Sequence, residues 1–538
     1  MSEHAETNHA APLTPARLFR STLTVMLGFL TTKLVSLAQV VIITDRFGAR
    51  ADYDTYVQAS VAPEQLVKFI GGGALAVAFI PVFSGLLNRR DQAGAWRLAS
   101  QAFNTLAVAV LTLSILVATL APFLVHHLIA PGFDAEEAQQ TINLLRILTI
   151  STVIFSLSGL LTGVLNGHNH FLLPVLAPIF QDLGLLFGVI FFTGPMGIYG
   201  LAWGVVLGAV LHFGIQIPGL FMFKASWRPA LGWDDPRLRE VVRLMVPRML
   251  ASGVFTVNFI AISNIASRMP EGVPSAFSWG LRIMDIPEAL IGTALGFVIF
   301  PTLAALTELG RIEDRRRVFS EAVRFILVAT IPSAVGLLLI GRGAMDILFV
   351  ELDEARLVYA SVQVFALALV LQAVHEVVAR AFYAGKDTMT PLIMSTAGMI
   401  AAVLTLVIGY NIYKTDAANL LYGPLGVGLP ALAYLVAFIV ELGLLVVVLK
   451  RRWQDLDEQR ILTAITRTLI ATAIMAVPVF LVDMLLAGNL ERGRISGLIR
   501  AGGGSLVGGV TFLIAAWLIN LQEVKQLPRM LRRRRAVV

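Results

Sequence analysis

The chain has 538 residues, of which 57% are hydrophobic and only 14% are charged, and its mean hydropathy is +0.78. Soluble domains carry about 25% charged residues, so this composition excludes an ordinary soluble protein. The net charge of +7 does not indicate a nucleic-acid partner, because the basic residues stand in short loops between apolar stretches. The absence of cysteine excludes disulfides, iron–sulfur clusters and thiolate metal sites.

The apolar stretches are long enough to cross about 30 Å of hydrocarbon as helices. We count fourteen, at residues 18–44, 54–87, 98–126, 139–166, 171–194, 197–223, 238–267, 275–306, 318–344, 357–384, 388–412, 423–449, 461–487 and 497–521. The sequence therefore predicts an all-α integral membrane protein. The polar residues 1–17 are expected to form a disordered cytoplasmic N-terminus.

Lysine and arginine are concentrated in alternate loops. One set of loops holds most of them, for example Arg89, Arg90, Lys224, Arg228, Arg311, Arg315, Lys450 and Arg451, and the tail holds Arg532, Arg533, Arg534 and Arg535. The other loops hold few, among them Arg492, Arg494 and Arg500. Because cytoplasmic loops are enriched in these residues, both termini are expected in the cytoplasm, with the tail against anionic lipid head groups.

Two stretches of the chain recur about 220 residues apart. The segment from Gly73 to Pro81 resembles the segment from Gly292 to Pro301, and the segment ending at Pro174 parallels the one ending at Pro391. This predicts two six-helix lobes as parallel repeats, a design in which substrate binds between the halves. The predicted parts are an N-lobe at 18–223, a cytoplasmic linker at 224–237, a C-lobe at 238–449, a further helix pair at 450–521 and a basic cytoplasmic tail at 522–538.

Four cations are predicted to lie inside membrane spans, where charges are costly and mark functional sites. They are Lys33, Lys68, Arg248 and Arg282. Converging on a wet cleft, they would bind a diphosphate through charge-assisted hydrogen bonds. The alternative is pairing on one helix, since Glu64 lies four residues before Lys68 and Asp285 three residues after Arg282.

Three further polar residues in spans are candidates for ion coupling. Asp182 and Glu441 are solitary acids, and Asn258 could ligate a cation; each could instead hydrogen-bond to a neighbouring helix. Glu376 and Arg380 are spaced as a stabilising i,i+4 pair, with His375 beside it. The sequence contains no phosphate loop, HExxH or GxSxG motif, so we expect a transporter rather than an enzyme, with no cofactor and coupling to membrane potential or a monovalent cation.

Several motifs of the chain resemble the MurJ family of lipid II flippases, within the multidrug/oligosaccharidyl-lipid/polysaccharide (MOP) exporter superfamily. They are Arg46-Phe47-Gly48-Ala49 with Asp54, Gly73 to Phe83, Ala130 to Phe133, Gly163 to Asn166 with Pro174 to Pro178, Arg282 to Met284 with Pro301, and Arg380 to Ala384 with Asp387 and Pro391. The resemblance covers about residues 18 to 520. It implies a flippase in the bacterial plasma membrane that moves undecaprenyl-diphosphate-linked peptidoglycan precursor to the outer leaflet.

The family's functional residues are matched unevenly. Arg282 and Asp54 are kept, and the resemblance implies a gating or ion-coupling role for Asp54. The first-span arginine falls on Lys33, which keeps the charge without the two-pronged geometry. Other positions that carry a charged residue in the family are occupied by uncharged residues in this chain, namely Gln39, Val40, Val61, Val67, Gly72 and Leu281.

The resulting hypothesis is a lipid-linked precursor flippase, with cations gripping the diphosphate and the lipid tail in a groove beside the last two helices. The partners expected are a polyprenyl-diphosphate-linked saccharide, membrane lipids and other cell-wall synthesis proteins. The alternatives are a flippase for another lipid-linked oligosaccharide, a MATE-like drug/cation antiporter and a non-transporting envelope scaffold.

Overall fold

A computed structural model describes residues 35–71 and 74–525, and this part of the chain is helical throughout, without a strand. Eleven of its helices are long and apolar enough to span a membrane. This confirms the predicted all-α membrane class, while the count of fourteen spans stays a prediction. The main helices are 35–47, Ala51–Leu66, Ala74–Asn88, Gln92–Thr119, Ala135–Gly167, Leu172–Phe187, Ile198–Gly214, Pro236–Ala266, Val273–Glu288, Ala294–Glu308, Ile312–Leu348, Leu352–Ala384, Met389–Thr415, Leu429–Trp453, Glu458–Asn489 and Arg494–Leu518.

The helix boundaries repeat along the chain as the sequence motifs do. Helix Ala74–Asn88 recurs as Ala294–Glu308, both ends at an offset of 220 (294 − 74 and 308 − 88), and each follows a π-helical turn, Val67–Gly71 or Ala289–Thr293. A second pair of junctions recurs at 217 residues, where Asn169 and Lys386 both adopt a left-handed backbone with φ of 59° and 61°. Non-glycine residues rarely adopt this conformation, so its recurrence at the predicted offset supports an internal repeat.

The chain divides into two compact units. The first comprises residues 1–42, 63–119 and 145–249, and the second comprises 43–62, 120–144 and 250–538. This division cuts across the predicted lobe boundaries, which stay a prediction.

In the first unit, two helices pack closely through glycine. Helix Leu172–Phe187 meets Ile198–Gly214 where a Cβ on Gly184 would lie 2.4 Å from the Cα of Gly208. Small residues let membrane helices approach in this way, because no side chain separates the backbones. A separate apolar core of this unit surrounds the buried Phe79, Phe83 and Trp96.

In the second unit, an ion network holds the last two long helices against Ile312–Leu348. Arg500 contacts Asp346 and Asp483, each at 2.9 Å, and Arg492 contacts Asp346 at 2.7 Å. Arg500 and both acids are mostly buried, so each charge has a partner inside the membrane protein. Arg500 was counted with the arginines of a sparse loop although the predicted span 497–521 contains it; the loop placement is wrong, because Arg500 lies inside helix Arg494–Leu518.

Candidate functional site

The structure places the eight predicted site residues in different surroundings. Lys33 lies outside the described residues, and Arg248 lies in helix Pro236–Ala266 with its side chain outside the described part. Lys68 is exposed on the π-helical turn of the first unit. The remaining described candidates are Asp182 in the first unit and Asp54, Asn258, Arg282 and Glu441 in the second.

Asp54 caps the start of helix Val273–Glu288 from a different helix. Its carboxylate accepts hydrogen bonds from the backbone N–H of Gly272 at 2.6 Å, from the N–H of Ser275 at 2.8 Å, and from the Ser275 hydroxyl. The first N–H groups of a helix lack partners within it, and a carboxylate there also meets the positive end of the helix dipole. Gly272 stands at the N-cap position with no side chain of its own, so Asp54 supplies the missing cap.

The segment before Asp54 contacts a second helix start. Arg50 contacts Glu351 at 2.7 Å and Glu354 at 2.5 Å, and Glu354 also accepts a hydrogen bond from the N–H of Ala49 at 3.3 Å. Gly48 has φ of 61°, a backbone conformation that favours glycine, and a Cβ there would lie within 3 Å of the Glu354 carboxylate and displace it from its contacts. We call these contacts, with those of Asp54, the Asp54 junction.

Trp279 connects the Asp54 junction to the predicted substrate cation. Its ring is fully buried, stacks on Tyr53 with centroids 4.6 Å apart, and donates Nε1–H to the carbonyl of Gly48 at 3.2 Å. The guanidinium of Arg282 lies 5.9 Å from the centroid of the same ring, within cation–π range. Arg282 is itself exposed, so it remains accessible to a ligand while one face of the cation contacts Trp279.

A large apolar cavity borders the same helix five residues beyond Arg282. It has a volume of about 540 Å³ and is lined by Pro287 together with residues of Ile312–Leu348, Glu458–Asn489 and Arg494–Leu518. Glycines leave the space open: Gly336 and Gly509 have no atom within 4 Å of where a Cβ would stand. Among the described lining residues only Ser333 and Ser505 carry polar side chains, so the cavity suits an apolar chain.

The acids expected to be solitary have partners. Glu441 is 4% exposed and contacts His375 Nε2 at 2.9 Å, which is the predicted alternative of a contact with a neighbouring helix. Asp182 accepts a hydrogen bond from Ser36 at 3.1 Å, so the same alternative describes it, and the coupling role of both acids stays a prediction. Spacing along one helix does not reveal partners such as these, which come from other helices.

The structure also describes the predicted Glu376–Arg380 pair and the predicted cation ligand Asn258. The Glu376–Arg380 pair is confirmed, with 2.8 Å between its charged atoms. Asn258 is 7% exposed, and its Oδ1 has no hydrogen-bond partner in the described part of the chain. An unsatisfied buried carbonyl oxygen is compatible with the predicted cation ligand, and it does not form the bridge between helices that was the alternative.

The sequence analysis missed Ser275, Trp279 and Glu354. Ser275 and Trp279 are neutral residues of a span, and Glu354 stands in the first turn of its helix where an acid is ordinary. The one available signal was Gly48 beside Arg50, because a glycine between a predicted helix and a charged loop marks a close backbone approach.

Solved transporters of the MOP superfamily share this fold. A solved lipid II flippase MurJ in an inward closed conformation matches with a TM-score of 0.75 at 22% identity, covering 93% of this chain and 99% of that one. A solved inward-facing MATE multidrug resistance transporter matches with a TM-score of 0.67 at 15% identity, covering 79% and 96%.

The sequence comparisons identify the family within this superfamily. The family model described as lipid II flippase MurJ matches residues 43–495, and the chain belongs to that family. The lipid II flippase MurJ of Burkholderia cenocepacia is 28% identical over 72% of this chain and 77% of its own. The probable lipid II flippase MurJ of Rhizobium meliloti is 28% identical over 80% and 81%.

Proposed function

We propose that this protein moves lipid II, the undecaprenyl-diphosphate-linked peptidoglycan precursor, from the inner to the outer leaflet of the bacterial plasma membrane. Family membership supports the substrate class. The observation that carries the proposal is a single helix, Val273–Glu288, which begins at the Asp54 junction, bears Arg282 and borders the apolar cavity at Pro287. It joins the three features that a flippase needs, a gate, a phosphate contact and a path for the lipid tail.

Arg282 is the proposed diphosphate contact. A guanidinium binds phosphate oxygens through two parallel hydrogen bonds, and it stays charged at any working pH. Contact with the Trp279 ring restricts the side chain, which lowers the entropy lost when it binds. From Arg282 to Pro287 the helix rises about 7.5 Å, so a bound diphosphate would lie near the mouth of the cavity that takes the tail.

The Asp54 junction is the proposed outer gate. With both termini in the cytoplasm, as the basic loops predict, the start of helix Val273–Glu288 would lie on the outer side. The contacts of Asp54 and Arg50 would then close the outer end while substrate enters from the inner leaflet. Breaking them would free the helix that bears Arg282, so gate opening and release of the diphosphate would occur together.

The energy source is proposed to be the membrane potential or a monovalent cation. Asn258 and Glu441 remain the proposed ion-coupling residues of the second unit, and Asp182 that of the first. Lys68 stays a proposed phosphate contact, as do Lys33 and Arg248. We propose no cofactor for the transport cycle. Contacts with other cell-wall synthesis proteins are also proposed.

Substitution of Arg282 tests the phosphate contact. Arg282→Ala should abolish growth of a strain depleted of its own flippase. Arg282→Lys should restore part of the growth, because lysine keeps the charge but cannot donate two parallel hydrogen bonds to a phosphate. Arg356→Ala, which removes an exposed arginine of the same unit, should grow normally. Full growth of Arg282→Ala, with the protein present in the membrane at the normal level, would remove the assignment.

Filling the cavity tests the path of the lipid tail. Gly509→Leu places a side chain in the cavity without a backbone clash, and Gly502→Leu makes the same change on the same helix away from the lining. In vesicles loaded with lipid II, the first variant should flip markedly more slowly and the second at the normal rate. Equal rates would show that the tail does not use this cavity, and an absence of flipping by the unaltered protein would favour the scaffold alternative.

A further inference from the structure

A second, much smaller cavity lies among arginines at one end of helices Ile312–Leu348 and Glu458–Asn489. Its volume is about 140 Å³, and its lining includes Arg324, Arg460 and Arg467 but only one acid, Glu523. All of these residues belong to the second unit. The lining therefore carries more positive than negative charge.

Arg324 and Glu523 form the inner wall of the cavity. Their charged atoms are 2.5 Å apart, and their side chains are only 12% and 10% exposed. Arg324 Nε is buried without a hydrogen-bond acceptor within the described ranges. This atom is not exposed to the cavity, so the inner wall offers a ligand a guanidinium that Glu523 already contacts.

Arg460 and Arg467 form the outer wall and are not neutralised in the same way. They stand seven residues apart, two helical turns, on one face of the helix, and the buried Ala464 lies between them. Arg467 donates to the carbonyl of Asn520 at 2.9 Å and has no carboxylate within 4 Å in the described part of the chain. Arg460 is 70% exposed and lies 3.7 Å from Asp457, one turn away, a contact that solvent screens.

The surface around the same helix ends is apolar. Leu462 is 60% exposed, Trp517 61% and Leu518 69%, and Lys525 lies over the Trp517 ring with 5.4 Å between Nζ and the centroid. Tryptophan beside a cation is typical of the membrane–water interface. A ligand at this site would thus meet cations at its head and apolar side chains along its body.

We propose that this cavity binds the phosphate group of an anionic phospholipid. Arg460 and Arg467 contact the phosphate oxygens, Arg324 supports them from the inner wall, and the acyl chains lie over Leu462, Trp517 and Leu518. A free phosphate ion shares the head chemistry but has nothing to place on the apolar surface. The cavity shares no lining residue with the larger apolar cavity, so this site is separate from the proposed path of the lipid tail and does not depend on the proposed function.

The test measures phospholipid binding by the purified full chain. Delipidated protein is titrated with phosphatidylglycerol, and native mass spectrometry counts the bound lipids, for the unaltered chain and for Arg460→Gln/Arg467→Gln. The control is Arg451→Gln/Arg243→Gln, which removes the same charge at two exposed positions outside the cavity. Arg324 is left in place, because its loss would leave Glu523 buried and unpaired.

The expected result is that the unaltered chain binds phosphatidylglycerol at one site. The affinity of this site should fall about tenfold or more in the Arg460/Arg467 variant, since each arginine contributes a charge-assisted contact, and it should be unchanged in the control. Phosphatidylcholine and inorganic phosphate should not compete for it. Equal phosphatidylglycerol binding by the variant and the unaltered chain would overturn the proposal. Displacement of the lipid by inorganic phosphate would overturn it too, by assigning the site to a free anion.

Discussion

Replacing Asp54 by asparagine tests whether the Asp54 junction is a gate. The substitution keeps the shape of the side chain but removes the charge that accepts three hydrogen bonds at the start of helix Val273–Glu288. Asparagine has one oxygen, which can keep the two bonds from Ser275 in neutral form at a loss of roughly 0.5 kcal/mol each, while the Gly272 N–H loses its acceptor at a cost of about 2 kcal/mol. The total loss is about 3 kcal/mol. The neutral side chain recovers about 1 kcal/mol because it costs less to bury. The net loss of about 2 kcal/mol should raise the open population roughly thirtyfold.

The assay uses the absence of native cysteine in the chain. A single cysteine at Ala276, which is fully buried next to Ser275, should react with a membrane-impermeant maleimide only when the junction opens. In the Asp54→Asn background the labelling rate should rise roughly thirtyfold, following the open population. Asp353→Asn is the matched control, since Asp353 is 77% exposed and lies outside the contacts of Asp54. An equal labelling rate in both backgrounds would refute the gate.

Substitutions at three further positions follow from the contacts of the second unit. Glu354→Gln should weaken the junction by about 1 kcal/mol, a modest loss because Arg50 is half exposed, and the same labelling assay would detect it. Gly48→Ala should cost about 2 kcal/mol or more, because the left-handed backbone and the Glu354 carboxylate both exclude a methyl group, and thermal unfolding in detergent would measure the loss. In the same measurement Glu441→Ala should destabilise the protein by about 3 kcal/mol, because it leaves His375 buried without its partner. Glu441→Gln keeps a hydrogen bond to His375, so its loss of stability should be less than half as large. Equal losses in the two Glu441 variants would mean that the His375 contact contributes nothing.

The fold was predictable because its signals are local. Span length, apolar composition and the recurrence of Pro81 at Pro301 can be read without knowing which helices touch, and the helix boundaries follow them. Asp54 and Arg282 were found by resemblance and by charge within a span. The partners of these residues were not predictable, because they lie far along the chain. Gly272 is 218 residues from Asp54, and although this separation is close to the repeat offset, the offset alone does not say that equivalent positions touch.

The same limit applies at other charged residues. Glu441 and His375 are 66 residues apart, and Arg500 and Asp346 are 154 apart. From the sequence alone, each residue of such a pair resembles either an isolated charge in a membrane span or an ordinary loop residue. Only the packing of the helices shows that these charges neutralise one another.

The ion network of Asp346 has a consequence for biosynthesis. Arg492 follows Asp346 by 146 residues, and at 5–20 residues per second the ribosome needs roughly 7 to 30 s to make the intervening chain. During that interval the carboxylate lacks both arginine partners. A chain truncated before Arg492 would therefore keep an unpaired Asp346 near the end of helix Ile312–Leu348, and the contacts of this helix with the last two long helices form only when synthesis is almost complete.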